Sequence, residues 1–226
     1  MADKEILIFV EGPSDKVFLE VYLYFLEDFP IKNFKVKDVT GKENLSKRLL
    51  EIEKYDKTLI IFDANKDYES NKKEILSKTP QKITEEQIFL FPNNQDDGDL
   101  ETLLLEIAKH KEIIQCFKRY LKCIECKYIG IKEHHELIKN IRKNMLYAYL
   151  EVFELQKFFQ YEWDINNKKN EKKIIIDDKG KIKEKHKEKY EKLKEVIDFN
   201  SKSLIPLKNF LGQFAENNQK TNLKIF

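Results

Sequence analysis

Residues 5–15, EILIFVEGPSD, and residues 58–67, TLIIFDANKD, decide how this chain folds. Each opens with a short run of aliphatic and aromatic residues, rich in β-branched side chains and bounded by polar ones, which reads as a buried strand. Each run stops at an acid: Glu11 before Gly12-Pro13 in the first, Asp63 in the second. After the first, Ser14 is placed to cap a helix whose apolar face runs Val17, Phe18, Val21, Tyr22 and Phe25.

Working outward, FKVKDV (34–39) alternates like a strand, and Gly41 introduces a helix through Leu45, Leu49, Leu50 and Ile52. A further helix is expected over 69–77, and QIFLF (87–91) reads as another buried strand, closed by Pro92. Strands alternating with helices predict an α/β fold: a parallel, Rossmann-like sheet with flanking helices. Sites in such sheets form at the carboxyl ends of the strands. Glu11 and Asp63 occupy that position, which is what singles them out among the chain's many acids.

Beyond the polar loop NNQDDGD (93–99) the pattern turns helical. Leu100, Leu103, Leu104, Ile107 and Ala108 share a stripe that Ile113, Phe117, Tyr120 and Leu121 continue. Residues 134–162 read as one long helix or two joined ones. Residues 166–195 form a Lys-rich insertion, with 12 Lys against 7 acids, inside which IIIDDKGKI looks like a small hairpin or loop. The end, VIDFNSKSLIPLKNFLGQF, predicts a last helix that packs back on the core. The chain therefore divides into an α/β core over 1–100 and a helical extension over 101–226.

Composition narrows the function. Hydrophobic residues make up 41%, with sixteen Phe and ten Tyr, enough for a packed core rather than a disordered chain. Three cysteines are too few and too odd in number for a disulfide framework. No secretory leader or run of roughly 18–20 apolar residues is visible, so a cytoplasmic, non-membrane protein is expected. Residues 1–100 carry 15 basic against 21 acidic residues and 101–226 carry 27 against 19, so −6 faces +8. An acidic front and a basic rear suit a metal site beside a polyanion-binding surface, although a chance split in a Lys-rich sequence explains them equally well.

The chemistry-bearing pattern is strand-Glu11-Gly12-x-x-Asp15, then strand-Asp63-x-Asn65-x-Asp67. Carboxylates are hard oxygen donors suited to Mg2+ or Mn2+, and acids at the ends of neighbouring parallel strands can converge on one ion. Gly12 removes side-chain bulk where a phosphate or ion would approach the backbone. An ion there could neutralise phosphate charge and orient a water. The bland alternatives are definite too. Glu11, Asp15 and Glu101 could each be helix-start acids favoured by the dipole, worth roughly 0.3–1 kcal/mol. Asp67 could be a solvated loop residue.

VEGPSD at 10–15 and IIFDANKD at 60–67, each after a strand, resemble the Toprim domain of topoisomerases, primases and the OLD-type nucleases. FPNNQDDGDLETLL (91–104) and IDFNSKSLIPLKNFL (197–211) resemble a small bacterial Toprim-related family without an assigned function. The resemblance implies Mg2+- or Mn2+-dependent chemistry on the phosphodiesters of DNA or RNA. It implies Glu11 as general acid/base or metal-linked carboxylate, Asp63 as a direct ligand, and Asp15 as the extra acid of the OLD type. It also admits an ATPase as a second partner. One departure stands out: the second acid of Asp-x-Asp is Asn65, which offers an oxygen but no charge. Asp67 and Glu101 are the candidates to make up the difference.

Other chemistries have less support. A Cys-x-x-Cys pair at Cys123 and Cys126, with Cys116, His110, His134 and His135 nearby, lacks the second well-spaced pair of a zinc site. Neither a P-loop nor a Gly-x-Gly-x-x-Gly turn occurs. An Asp63 nucleophile would lack the hydroxyl residue that usually follows in Asp-based phosphatases. Two functions remain open: a metal-dependent nuclease or related phosphoryl-transfer enzyme, and a Toprim scaffold that binds nucleic acid or protein without catalysis. In either, the Lys-rich stretch could contact phosphates, with Tyr161, Trp163 and Tyr190 stacking on bases.

Overall fold

The structure is a computed structural model and describes residues 6–26, 34–128, 141–156, 158 and 184–215. Four strands, β1 (Ile6–Val10), β2 (Phe34–Asp38), β3 (Lys57–Asp63) and β4 (Ile88–Phe91), pair in parallel in the order β2-β1-β3-β4. Val10 stands opposite Ile61 and Asp63 opposite Phe91, so both hydrophobic runs end on the same edge of the sheet. The α/β architecture expected from the strand–helix alternation is the observed one.

Alternation along the strands sends side chains to two faces. Ile6, Ile8, Val10, Leu59 and Ile61 belong to one buried cluster, and Leu7, Phe9, Ile60 and Phe62 to another. Helix α1 (Pro13–Phe25) covers the first face with Val17, Phe18, Val21 and Tyr22. On that face lie also α4 (Leu100–Glu106), α6 (Ile141–Glu151), α7 (Glu184–Val196) and α8 (Ile205–Ala215). The second face is closed by a 3-10 stretch over 42–48, α2 (Leu49–Ile52) and α3 (Tyr68–Lys78). Residues from both halves of the chain thus share one core, and α8 packs back on the sheet as expected, with Phe210 on Phe89 at 5.4 Å between ring centres.

The local expectations meet several corrections. Helix α1 is capped at Gly12, not Ser14; Pro13 takes the first helical position, where its missing N–H costs nothing. Gly12 is extended there, at φ −142°, a conformation open to any residue, and a Cβ on it would meet Asp15 Oδ2 at an ordinary 3.5 Å. Leu50 is 76% exposed, because the segment before it winds as a 3-10 helix and shifts which residues share a face. The stripe from Leu100 to Ala108 is buried, but α5 (Lys111–Tyr128) is a separate helix and leaves Tyr120 59% exposed.

Of the 134–162 stretch, expected as one long helix or two joined ones, the described part holds α6, which ends at Glu151 before the chain turns through Glu154 at φ 60°. The latter part of the Lys-rich insertion is helix α7, whose Tyr190, Leu193 and Val196 are buried, so Tyr190 is withdrawn from any base-stacking role. The expected hairpin IIIDDKGKI, Tyr161, Trp163, His134 and His135 lie outside the described residues. Among the described residues, no helix is long and apolar enough to cross a membrane.

Backbone and hydroxyl contacts fix the C-terminal layer against α4. Lys109 N donates to Val196 O at 2.9 Å and Asp198 N to Ile107 O at 2.8 Å. Buried Tyr149 of α6 donates its hydroxyl to the same Val196 carbonyl at 2.6 Å. The last of these ties the later part of α6 to the same layer.

Candidate metal site

The site is built where β1 and β3 end. Glu11 follows β1 directly, and its carbonyl accepts Gly41 N at 2.9 Å, which ties the loop after β2 to it. Gly41 sits at φ 97°, where a side chain is strained. Asp15, in the first turn of α1, accepts the Gly12 N–H at 2.7 Å and is 7% exposed. Asp63 closes β3, and its Oδ1 accepts the Leu100 N–H at 2.9 Å. That contact brings the start of α4 over the strand end and carries Glu101 with it. Asp99 fixes this arrangement: its Oδ1 accepts Thr102 N at 2.8 Å, an N-cap worth about 0.5–2 kcal/mol.

Four of the six sequence candidates, Glu11, Asp15, Asp63 and Glu101, therefore meet at one end of the sheet. Their charges act on one another through a poorly hydrated region. Burial pushes the Asp15 carboxyl up to about 8, against the pull of the Gly12 N–H, and repulsion from Glu101 and Glu11 adds to it. Asp63 is raised well above the carboxylate range, first by burial and then by Asp15, Glu11 and Glu101, with the Leu100 N–H opposing. Glu11 is raised by burial, while the Asp63 backbone N–H and the Lys42 ammonium pull it back. Burial also raises Glu101, with repulsion from Asp99 and attraction to Lys143 and Arg142 acting in opposite senses. Glu11 Oε2 is buried with no hydrogen-bond partner among the described residues.

Asn65 and Asp67 are placed differently. Asn65 is exposed at φ 57°, a left-handed conformation that asparagine tolerates well. Its N–H donates to Gly98 O at 2.6 Å, and its Nδ2 reaches Asp63 O at 3.4 Å. Gly98 itself admits no side chain, since a Cβ would lie 2.9 Å from Pro92 Cδ. Asp67 caps α3, accepting Ser70 N at 2.9 Å. Both residues shape the loop after Asp63 from its exposed side.

The donor set suits a hard divalent cation: carboxylate oxygens only, mutually repelling, one of them buried and unpaired. Among the described residues no three acidic, histidine or cysteine side chains are close enough to hold an ion as they stand. Holding an ion would therefore require side-chain rotation; Glu11 and Glu101 are only partly buried.

Four residues near the site escaped the sequence reading. Asn71 of α3 donates Nδ2 to Ala64 O at 2.7 Å and to Asp67 O at 2.8 Å, bracing the loop after Asp63. Lys42 bonds to Asn71 Oδ1 and pairs with Glu74. Its position just past the end of β2, on the same sheet edge, could have flagged it. Arg142 Nη2 lies 3.0 Å from Asp99 Oδ2, and Lys143 follows it on α6; nothing local in the sequence marks either.

No curated protein and no solved structure matches the chain significantly. A family model does, over residues 5–216, which takes in every element of the site as well as the C-terminal layer. The chain belongs to the family described as Protein of unknown function (DUF3226).

Proposed function

We propose that this chain is a cytoplasmic, divalent-metal-dependent enzyme of the Toprim type, a nuclease or related phosphoryl-transfer protein acting on nucleic acid. The observation that carries the reading is the grouping of Glu11, Asp15, Asp63 and Glu101 at the carboxyl edge of β1 and β3, with Glu11 Oε2 buried and without a hydrogen-bond partner among the described residues. Asp63 and Glu11 would hold Mg2+ or Mn2+, with Asp15 and Glu101 completing the set. When bound, such an ion neutralises phosphate charge and lowers the pKa of a coordinated water.

The chain's own residues supply the rest. Burial raises the Glu11 carboxyl above its ordinary value, the direction a proton-transferring carboxyl needs. The Leu100 N–H orients Asp63. Asp15 holds the first turn of α1 against the end of β1 through Gly12.

The second reading, a scaffold that binds nucleic acid without catalysis, is favoured by Asn65, whose exposed turn position leaves the second acid of Asp-x-Asp unreplaced in charge. Cleavage of labelled single- and double-stranded DNA and of RNA, in Mg2+, Mn2+ or EDTA, separates the two. The enzyme reading expects metal-dependent cleavage, reduced about 10^2–10^4-fold by Glu11→Gln and abolished by Asp63→Asn. Nucleic acid bound but never cut, in either metal, would favour the scaffold.

A further inference from the structure

The four acids repel a polyanion, so a substrate phosphate needs cations at their border. Among the described residues, three cations stand there. Lys42 is engaged by Glu74 and Asn71 on the α3 side. The other two, Arg142 and Lys143, are exposed at the start of α6. Their placement is fixed by geometry: Asp63 holds Leu100, Asp99 caps α4 beside it, and Arg142 lies 3.0 Å from the free oxygen of that cap. Helix α6 is anchored behind them by buried Leu146, Tyr149 and Leu150.

We infer that Arg142 and Lys143 form the phosphate-holding flank of the acidic site, and that a nucleic-acid strand lies with its sugar-phosphate backbone over that flank. The inference rests on the reading of the site as a metal-dependent phosphodiesterase. It gives the basic C-terminal half a specific place in that reading: two side chains of α6 rather than the Lys-rich stretch as a whole. The Arg142 side chain is 49% exposed while one nitrogen pairs with Asp99, and a guanidinium grips phosphate oxygens two at a time. Lys143 has its ammonium 5.9 Å from the Tyr147 ring centre and acts as a counter-charge to Asp15 and Glu101. The competing structural role is small: an exposed pair such as Arg142–Asp99 stabilises by only about 0.2–1 kcal/mol.

The test uses the full chain, fluorescence anisotropy of a labelled oligonucleotide in Ca2+, and a salt titration. Variants are Arg142→Gln, Lys143→Gln, the double substitution, Lys143→Arg, and Lys208→Gln on α8 as a control for the loss of one surface charge elsewhere. Each phosphate contact contributes about 0.7–0.9 to the slope of log K against log salt. The double variant is expected to bind about tenfold or more weakly and to lower that slope by about 1–2. Mn2+ should still raise its melting temperature, since the four acids are untouched, and Lys143→Arg should retain binding. Binding by the double variant equal to that of Lys208→Gln would overturn the inference. A wild-type chain that responds to Mn2+ but binds no oligonucleotide would overturn it too, leaving the metal site standing. If Mn2+ has no effect, yet binding still depends on Arg142 and Lys143, the metal reading fails and the phosphate flank survives.

Discussion

Replacing Asp63 with Asn is expected to raise the melting temperature of the metal-free protein while removing its response to Mn2+. Asp63 sits among Asp15, Glu11 and Glu101, and burial together with their repulsion already holds its carboxyl well above the ordinary range. An asparagine carries no charge, yet its Oδ1 can still accept the Leu100 N–H that Asp63 accepts at 2.9 Å. The substitution thus removes repulsion without losing the bond that seats α4. Relief of this kind commonly stabilises by about 0.5–2 kcal/mol, or roughly 2–6 °C for a chain of this size. The cost falls on function, as it does where a site stores unfavourable charge for a ligand to neutralise. Thermal melts at pH 8, with and without Mn2+, decide the matter. An unchanged or lowered melting temperature without metal would show that Asp63 is not strained by its neighbours.

The metal-free protein should also lose stability as pH rises from 5.5 to 8. Asp15 titrates at about 8 in the folded chain against an ordinary 3.8, and Glu20, buried on α1 beside Lys16, at about 7 against 4.5. A raised folded pKa means that the native state holds its proton more tightly than the unfolded chain does. The resulting stabilisation is complete below pH 4 and is lost as pH climbs through the folded pKa values. One group fully protonated in the native state alone changes stability by about 1.4 kcal/mol per pH unit. Over this range the expected loss is about 2 kcal/mol or more, or roughly 4–8 °C. Glu20→Gln removes the part that has nothing to do with the site. What remains belongs to the four acids, and saturating Mn2+ should cancel it, because a cation favours their ionised forms. A melting temperature that rises with pH in the metal-free Glu20→Gln protein would contradict this.

Much of this arrangement was legible in the sequence, for a physical reason. A strand buried on both faces must be apolar throughout, so the runs ending at Glu11 and Asp63 announce both the strands and the edge where they stop. Asp15 and Glu101 were legible because helix starts adjoin strand ends in this fold. For Asn65 and Asp67 spacing places the residues in a loop, and the turn at φ 57° and the cap on Ser70 give each a structural task that spacing alone does not show. Arg142 and Lys143 could not be found locally, since they reach the site only through the packing of α6 on α4. Helix α7 was hidden by composition: Tyr190, Leu193 and Val196 make a narrow buried stripe in a stretch crowded with lysine. Leu50 was assigned to a buried face by α-helical spacing, which the 3-10 turn before it does not keep.

Glu11, Asp15, Asp63 and Glu101 are proposed together to take a divalent cation. The most direct measurement is calorimetric titration of the metal-free chain with Mn2+ at pH 7.5, repeated in two buffers of different ionisation enthalpy. Because Asp15 holds a proton up to about pH 8 and Asp63 is raised as well, binding must displace protons, and the observed heat should differ between buffers by an amount matching their release. Saturable binding with proton release is expected in wild type, and neither in Asp63→Asn. Absence of binding, or binding that proceeds in both proteins with no proton released, would contradict it.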